Sequence, residues 1–183
     1  SKDYSQEEKP DFLEQLAAAT ATPGGGAAAA HTAAAGAALV AMVARLTTEK
    51  KKYQDVKERM LEIIDQAEEL RHQLDQAGKD DSIAFEKVME AFRMAKDTSE
   101  EIQKREDMIQ KTTIYAAEVP LQVARMALKV MKLAVEAAET GNLNAISDAA
   151  SGLFFAKSAL TSAALNVRTN TLGIKDQKIN QNL

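Results

Sequence analysis

The sequence predicts an all-α protein, folded as a single domain that forms a bundle of six to seven helices. Alanine, the residue with the highest helix propensity, accounts for 34 of the 183 residues, and only three prolines interrupt the chain. Apolar residues recur at spacings of three and four, which is the period of one helix face. A chain of this length can bury a core without disulfides, and no repeat of fixed length indicates a solenoid.

The first predicted helix is short and amphipathic. Phe12, Leu13 and Leu16 share one face, and Ser5 and Glu8 have the spacing of a capping box at its start. The proline and three consecutive glycines that follow it predict a break in the chain.

An alanine-rich helix comes next. Twelve alanines lie between Ala21 and Ala44, and from Gln15 onward this stretch contains no ionisable side chain except His31. Such a stretch raises the question of a membrane span. Alanine is only weakly hydrophobic, however, and the mixed charges upstream are not those of a secretory leader. We therefore expect a helix that is buried on all sides within a soluble protein.

The third predicted helix has the clearest periodicity in the sequence. Its charged faces indicate packing on one side only, and Ala77-Gly78 predicts its end. Asp80 or Asp81 would cap the helix that follows, which carries Phe85 on its apolar side. The apolar stripe of the third helix consists of Tyr53, Val56, Met60, Ile63, Ala67, Leu70 and Leu74.

Another capping box, Thr98 with Glu101, opens a helix that we expect to bend or break at Pro120. The sequence Thr140-Gly141-Asn142 predicts where its apolar face ends.

The last long helix is expected to begin at Asn144 or Ser147 and to extend past Val167. Residues 175–183 form a polar tail that we expect to be frayed.

Composition excludes several classes of protein. The absence of cysteine rules out disulfides, thiolate chemistry and cysteine-based metal sites. The two histidines are 41 positions apart, so they do not form a local metal-binding motif. The net charge of −4 and the pI near 5.3 argue against a nucleic-acid-binding protein.

Three consecutive glycines before a helix suggest a place where another group approaches the backbone closely, or where φ is positive. Free amides at the start of that helix would favour an anion. The motif is neither a Walker loop nor a dinucleotide fingerprint, and a simple helix corner remains an alternative. Downstream, Lys50–Lys52 forms either a solvated charge run or a local patch for an anionic ligand, and Tyr53 is more typical of a core residue than of a catalytic acid.

Two aspartates could carry charge in a site. Asp148 lies among small residues at the start of a nearly uncharged helix, so it is either a first-turn aspartate favoured by the helix dipole or a partly buried carboxylate facing a cationic ligand. Asp81 is a helix cap or a site acid. Asn142 and Asn166 are typical of turns and caps, and Asn166 would need a partner inside a bundle. His31 on an alanine face is more typical of a structural histidine than of a base.

Several segments together resemble the cyclodeaminase/cyclohydrolase family, which comprises the cyclodeaminase domain of formiminotransferase-cyclodeaminase and stand-alone methenyltetrahydrofolate cyclohydrolases. The resemblance covers residues 8 to 175 in order. It rests on these segments: Thr22-Pro23-Gly24-Gly25-Gly26 with the helix to Val43, Leu46-Thr47 with Lys50-Lys51-Lys52-Tyr53, Asp81-Ser82-Ile83-Ala84-Phe85 with Val88-Met89, Val119-Pro120-Leu121, Gly141-Asn142 with Ser147-Asp148-Ala149, and Asn166-Val167 with Asn170.

The resemblance implies a cytoplasmic, all-α homodimer that binds a tetrahydrofolate derivative near the subunit interface and requires no metal or other cofactor. Because the sequence contains no formiminotransferase-like segment, the expected activity is methenyltetrahydrofolate cyclohydrolase, with formiminotetrahydrofolate cyclodeaminase as the alternative. A helical protein that binds folate without turnover is the rival from another class. A membrane or nucleic-acid partner is not expected.

The resemblance also implies roles for individual residues. Asp148 is expected to be the acid near the reacting carbon and Asp81 a second polar group. The lysines would hold the glutamate tail and Tyr53 would pack on the ligand. Residues expected to bind substrate are Pro23, Gly24, Gly25, Gly26, Lys50, Lys51, Lys52, Tyr53, Asn142, Ser147 and Asn166. The chain departs from the family pattern at Ala27, where serine is usual, and at Glu49, where glycine is usual.

Overall fold

The computed structural model describes residues 10–182 and contains, over that range, helices and turns but no strand. The all-α prediction is confirmed, and the six α-helices fall within the predicted number. They are α1 (Phe12–Ala17), α2 (Gly25–Thr48), α3 (Lys57–Arg93), α4 (Ser99–Thr140), α5 (Ile146–Thr171) and α6 (Gln177–Asn182), with 3-10 turns at Lys51–Val56 and Leu143–Ala145.

Helix α2 is the central element of the bundle and packs against α3, α4 and α5. Its length and composition would suffice to cross a membrane, but 56% of its most apolar window is buried within the fold. One strip of the helix, which includes Met42 and Leu46, remains exposed. The expectation of burial on all sides is therefore wrong for this strip and for the exposed His31 and Arg45, and right for the positions that pack against the neighbouring helices.

Small residues allow α2 and α5 to approach closely. A Cβ atom built on Gly36 would lie 2.8 Å from the carbonyl oxygen of Gly152, and one on Gly152 would lie 3.0 Å from the carbonyl oxygen of Gly36. Real Cβ atoms do not make contacts as short as the first of these, so the two backbones are in contact only because both residues lack a side chain.

The short helix α1 begins later than the predicted capping box. Asp11 caps it, with the Glu14 N–H donating to Asp11 Oδ1 at 2.8 Å and the Asp11 N–H donating to Glu14 Oε2 at 3.1 Å. The predicted pair, Ser5 and Glu8, lies outside the described residues. No residue of α1 is buried, so the helix rests on the surface of the bundle.

The predicted stop at Ala77-Gly78 is wrong, because α3 continues through it to Arg93. Gly78 faces α2, and a Cβ on it would lie 3.6 Å from Ala30 Cβ. The apolar stripe also continues beyond it in the buried side chain of Ala84. Packing against α2 thus offsets the cost of glycine inside a helix, which is about 1 kcal/mol. Asp81 consequently lies in the middle of α3 and does not cap a helix of its own.

The predicted break at Pro120 is also wrong, since α4 runs uninterrupted through this buried proline. Proline has no N–H, so the carbonyl four residues earlier, that of Ala116, has no intrahelical donor. The side-chain amide of Asn170 on α5 donates to this oxygen at 2.6 Å. A residue from a neighbouring helix therefore completes the hydrogen bonding that the proline removes.

We expect Asn170→Ala to destabilise the protein by about 1 kcal/mol, because it leaves the Ala116 carbonyl without a donor. In a Pro120→Ala background the cost should fall, since that substitution restores a backbone N–H that can donate to the same oxygen. The cycle consists of the wild type, the two single variants and the double variant. Their free energies of unfolding, measured by urea denaturation, give the coupling energy between Pro120 and Asn170. Equal losses in both backgrounds would contradict the role assigned to Asn170.

The remaining helix ends follow the sequence more closely. Thr98 and Glu101 form the predicted capping box of α4, which ends before Gly141. The last long helix begins at Ile146 with Ala145 in the capping position, so neither Asn144 nor Ser147 caps it. In the tail, residues from Gln177 to Asn182 form the short helix α6, none of whose residues is buried, and fraying of this end stays a prediction.

Candidate functional site

The residues predicted to form the site lie at the two ends of α2. A glycine cluster, consisting of Pro23–Gly26, Asp81 and Asn166, surrounds its N-terminus. A lysine cluster, consisting of Lys50–Tyr53, Asn142, Ser147 and Asp148, lies at the end where Thr48 and the 3-10 turns are found. The 24 residues of α2 span about 36 Å, so one chain does not combine the two clusters into one pocket.

In the glycine cluster, the carboxylate of Asp81 contacts the first turn of α2. The Ala27 N–H donates to Asp81 Oδ2 at 3.0 Å. A Cβ on Gly26 would lie 2.5 Å from Asp81 Cγ and still closer to Oδ1. No glycine between residues 10 and 182 has a positive φ. Position 26 is therefore glycine because another group lies close to its backbone, and not because of its backbone conformation. The group that approaches is the side chain of Asp81.

Asn166 lies on the other side of the same turn. Its Nδ2 donates to the Ser162 carbonyl oxygen at 2.9 Å, which is the partner that a polar residue inside the bundle requires. Its Oδ1 would lie 3.9 Å from a Cβ on Gly25. Its Nδ2 would lie at 3.6 Å from the same Cβ, so the side-chain amide as a whole borders the start of α2, and its oxygen can accept a hydrogen bond.

Burial raises the pKa of the Asp81 carboxyl above its usual range, because the charged form loses hydration. The hydrogen bond from the Ala27 N–H acts in the opposite direction and is the smaller effect. Asp81 therefore holds its proton more tightly than an exposed aspartate does. A carboxylate with a raised pKa is better suited to act as a base near neutral pH.

In the lysine cluster, two of the predicted residues, Tyr53 and Asn142, hold the turn between α4 and α5. The Asn142 N–H donates to Thr47 Oγ1 at 2.8 Å, and the Leu143 N–H donates to the Tyr53 hydroxyl at 3.1 Å. Lys50–Lys52 is exposed, with Lys52 Nζ 5.4 Å from the centroid of the Tyr53 ring. Tyr53 and Asn142 therefore join the end of α2 to the turn, while the lysines are available to a ligand.

Asp148 lies in the first turn of α5 and is half-buried, next to the exposed Ser147. Helix α5 runs antiparallel to α2, since Gly152 meets Gly36 and Asn166 meets Gly25. The same arrangement separates Asp148 from the glycines by most of the length of α2. Asp148 and the glycines, which were both expected to contact the substrate, therefore do not share a pocket within one chain, and the catalytic role of Asp148 remains a prediction.

A cavity of about 270 Å³ adjoins the glycine cluster between α1, α2 and α3. Pro23, Ala27, Gly78 and Ser82 are among its lining residues. Two larger grooves, of about 770 and 740 Å³, lie between α3 and α4 and include none of the predicted site residues. The small cavity reaches the glycine cluster through Pro23 and through Ala27, whose N–H donates to Asp81; the Asp81 side chain itself is not among the lining residues.

One wall of that cavity was not anticipated from the sequence. Phe12 of α1 stacks on His31 of α2, with ring centroids 4.3 Å apart and an interplanar angle of 18°. His31 is exposed at the surface of α2, and its stack on Phe12 gives it a structural role, as predicted, rather than that of a base. Periodicity places both residues on their helices but does not show that α1 folds back onto α2.

Among residues 10–182, no three histidine, aspartate or glutamate side chains come together as a metal site would require. Independence from metals and other cofactors remains a prediction.

Comparison with known proteins gives a consistent result. The family model described as Formiminotransferase-cyclodeaminase matches residues 9–183. A methenyltetrahydrofolate cyclohydrolase of Methylorubrum extorquens is 45% identical over 166 residues, which cover 91% of this chain and 80% of that protein. The crystal structure of formiminotetrahydrofolate cyclodeaminase from Thermotoga maritima superposes with a TM-score of 0.84 at 32% identity, over 97% of this chain and 86% of that one.

Proposed function

The chain belongs to the formiminotransferase-cyclodeaminase family, and from that premise we propose that it is a methenyltetrahydrofolate cyclohydrolase. The observation that carries this proposal is the 45% identity with the cyclohydrolase of Methylorubrum extorquens over most of both chains. The reaction adds water to the methenyl carbon of 5,10-methenyltetrahydrofolate. The bond between this carbon and N5 then breaks, which gives 10-formyltetrahydrofolate and releases one proton.

The glycine cluster has the groups that this reaction needs. The substrate carries a delocalised positive charge over N5, the methenyl carbon and N10, and the carboxylate of Asp81 can stabilise that charge in a partly buried setting. The same carboxylate can accept the proton that water loses as it attacks. We therefore propose Asp81, rather than Asp148, as the acidic residue nearest the reacting carbon.

Backbone amides can stabilise the oxygen that adds to the substrate. Within residues 10–182, neither the Gly25 N–H nor the Gly26 N–H has an acceptor. Both belong to the first turn of α2, where the helix dipole favours negative charge. The oxygen of the tetrahedral adduct could accept from these donors while Asn166 Oδ1 accepts from the substrate or from water.

The departure at Ala27 does not remove the contact with Asp81. The group that donates to the carboxylate is the backbone N–H of residue 27, which alanine and serine share. This hydrogen bond keeps the carboxylate at the first turn of α2, and the identity with a cyclohydrolase favours catalysis over a folate-binding protein without turnover. Formiminotetrahydrofolate cyclodeaminase is the second candidate activity, and the structural similarity to the Thermotoga maritima enzyme supports it.

The test of the proposed function is spectroscopic. Methenyltetrahydrofolate absorbs in the near ultraviolet, and we expect the purified protein to accelerate the loss of this absorbance above the rate in buffer. Ammonia release from formiminotetrahydrofolate would instead indicate the cyclodeaminase. Saturable heat of folate binding without either reaction would indicate the non-catalytic protein and contradict our proposal.

We further propose that the protein acts as a homodimer in the cytoplasm, without a metal, a redox cofactor, nucleic acid or a membrane. The exposed strip of α2 and the neighbouring face of α5 form one apolar surface, which consists of Met42, Leu46, Phe154, Phe155 and Leu165. A two-fold axis across the middle of this surface would set the two α2 helices antiparallel. The lysine cluster of one copy would then face the glycine cluster of the other, within reach of the glutamate tail of a folate.

Phe155→Glu is expected to convert the dimer into a monomer, because it places a charge in the centre of the apolar surface. Light scattering coupled to gel filtration measures the mass. The matched control is Leu128→Glu, which alters an exposed leucine of α4 and should leave the mass unchanged. A wild-type protein that is monomeric at micromolar concentration would overturn the proposal of a dimer.

A further inference from the structure

We propose that the cavity between α1, α2 and α3 is the binding place of the pterin ring of the substrate, with Phe12 as its aromatic contact and Asp75 as its hydrogen-bond acceptor. This inference rests on the proposed function and specifies which part of the folate is bound at which residues. The cavity is called the α1 cavity below and is lined by Phe12, Gln15, Pro23, Ala27, His31, Leu74, Asp75, Gly78, Lys79 and Ser82.

The size of the α1 cavity suits a ring system and not a whole folate. Its volume is about 270 Å³, whereas an apolar cavity of about 150 Å³ accommodates a single benzene ring. A bicyclic pterin therefore fits, and the aminobenzoyl-glutamate portion must lie outside. A pterin inside the cavity and an aminobenzoyl-glutamate outside it would place the reactive carbon, which joins these two portions of the substrate, at the mouth of the cavity.

The walls of the cavity offer the two kinds of contact that a pterin requires. Phe12 and Pro23 present flat apolar surfaces, and the Phe12 ring is held in place by its stack on His31. Leu74 and Gly78 form the floor on α3. The absence of a side chain at Gly78 leaves that floor open next to Ala27.

The polar contact is supplied by Asp75. A pterin carries two adjacent donors, the ring N3–H and the 2-amino group, and a carboxylate can accept from both at once. Asp75 Oδ2 already accepts from Lys79 Nζ at 2.7 Å, but a carboxylate has about four acceptor positions, so capacity for the ligand remains. Ser82 adds a hydroxyl to the same wall.

The positions of Asp75 and Asp81 along α3 orient the ring. Six residues separate them, which corresponds to about 9 Å along the helix axis. With its 2-amino edge at Asp75, a pterin extends along α3 so that its N5 end approaches Ala27, whose N–H holds Asp81. The one-carbon bridge then lies at Ala27, which lines the cavity and donates its N–H to Asp81 on the adjoining face of α3.

The experiment measures binding by calorimetry with three probes: 5-formyltetrahydrofolate, 6-methyltetrahydropterin as the ring alone, and p-aminobenzoylglutamate as the tail alone. We expect the wild-type protein to bind the first two in competition. Asp75→Asn should weaken both by about 3- to 10-fold, since it removes a charge-assisted acceptor whose side chain is 62% exposed and therefore screened by solvent. Phe12→Ala should weaken both by about 3- to 10-fold, and Phe12→Tyr, which retains the ring, should restore affinity.

Asp65→Asn is the matched control, because Asp65 is an exposed aspartate of the same helix outside the α1 cavity. Thermal denaturation of each variant verifies that it is folded. Turnover with unchanged affinity in Asp75→Asn and Phe12→Ala would overturn the assignment of the cavity while leaving the proposed function intact. A wild-type protein that neither binds 5-formyltetrahydrofolate nor hydrolyses methenyltetrahydrofolate would overturn both.

Discussion

Asp81→Asn is expected to lower kcat/KM for methenyltetrahydrofolate hydrolysis by about 100- to 1,000-fold, the loss typical of removing one preorganised electrostatic group from a site. The amide keeps the shape of the side chain, and its oxygen can still accept from the Ala27 N–H. It cannot carry the negative charge that stabilises the cation, nor accept the proton of water. The loss should therefore appear without a loss of folding.

The pH dependence provides an independent measure of the same residue. Burial raises the pKa of Asp81, so the active carboxylate form is lost as the pH falls through a value above that of an ordinary aspartate. The acid limb of the kcat/KM profile should lie at this raised value in the wild type and disappear in Asp81→Asn.

Stability has the opposite dependence, because the raised pKa means that folding favours the protonated form. The contribution of Asp81 to stability is fully present below the pKa of the unfolded chain and is lost as the pH rises through the pKa of the folded state. Asp81→Asn should therefore flatten the stability profile in this range. Asp80→Asn, a change at the adjacent position, is the control, and a larger kinetic loss in Asp148→Asn than in Asp81→Asn would contradict our assignment.

Gly36→Ala is expected to destabilise the protein by about 1–3 kcal/mol, although alanine is the better helix former. The new methyl group would lie 2.8 Å from the Gly152 carbonyl oxygen, which is backbone and cannot rotate away. Relief requires that α2 and α5 separate along a buried interface. Urea denaturation measures the change.

Gly78→Ala is the matched control, because it makes the same substitution inside a helix where space is available. The nearest atom to its Cβ, Ala30 Cβ, is 3.6 Å away, which is an ordinary contact. Alanine should therefore stabilise this position by about 0.5–1 kcal/mol. Equal effects of the two substitutions would show that helix propensity, and not the contact between α2 and α5, determines the stability of these positions.

The sequence was informative where local chemistry decides the structure. The capping box of Thr98 and Glu101 and the end of α4 before Gly141 depend on residues that are adjacent in the chain, and both were predicted. Gly78 and Pro120 are strong local signals for breaks, yet α3 and α4 pass through them. The packing of Gly78 against α2 and the hydrogen bond from Asn170 next to Pro120 override those signals. Neither contact can be inferred from the spacing of apolar residues.

In the candidate site, too, the sequence predicted the local features but not the tertiary contacts. The triple glycine predicted a close approach to the backbone, and Asp81 was one of the two candidate acids. Asp81 lies next to these glycines because α3 continues without interruption across the start of α2. The predicted helix end at Gly78 did not allow for this contact. The separation of Asp148 from the glycines follows from the antiparallel course of α5, which is a matter of tertiary structure.

The hydrogen bond from Asn170 to the Ala116 carbonyl also constrains how the chain is built on the ribosome. The donor is translated 54 positions after its acceptor. Until α5 has emerged from the exit tunnel, only water can satisfy the carbonyl that Pro120 leaves open, and the middle of α4 has to remain hydrated. During vectorial synthesis we therefore expect the middle of α4 to dock fully only once the last long helix is available.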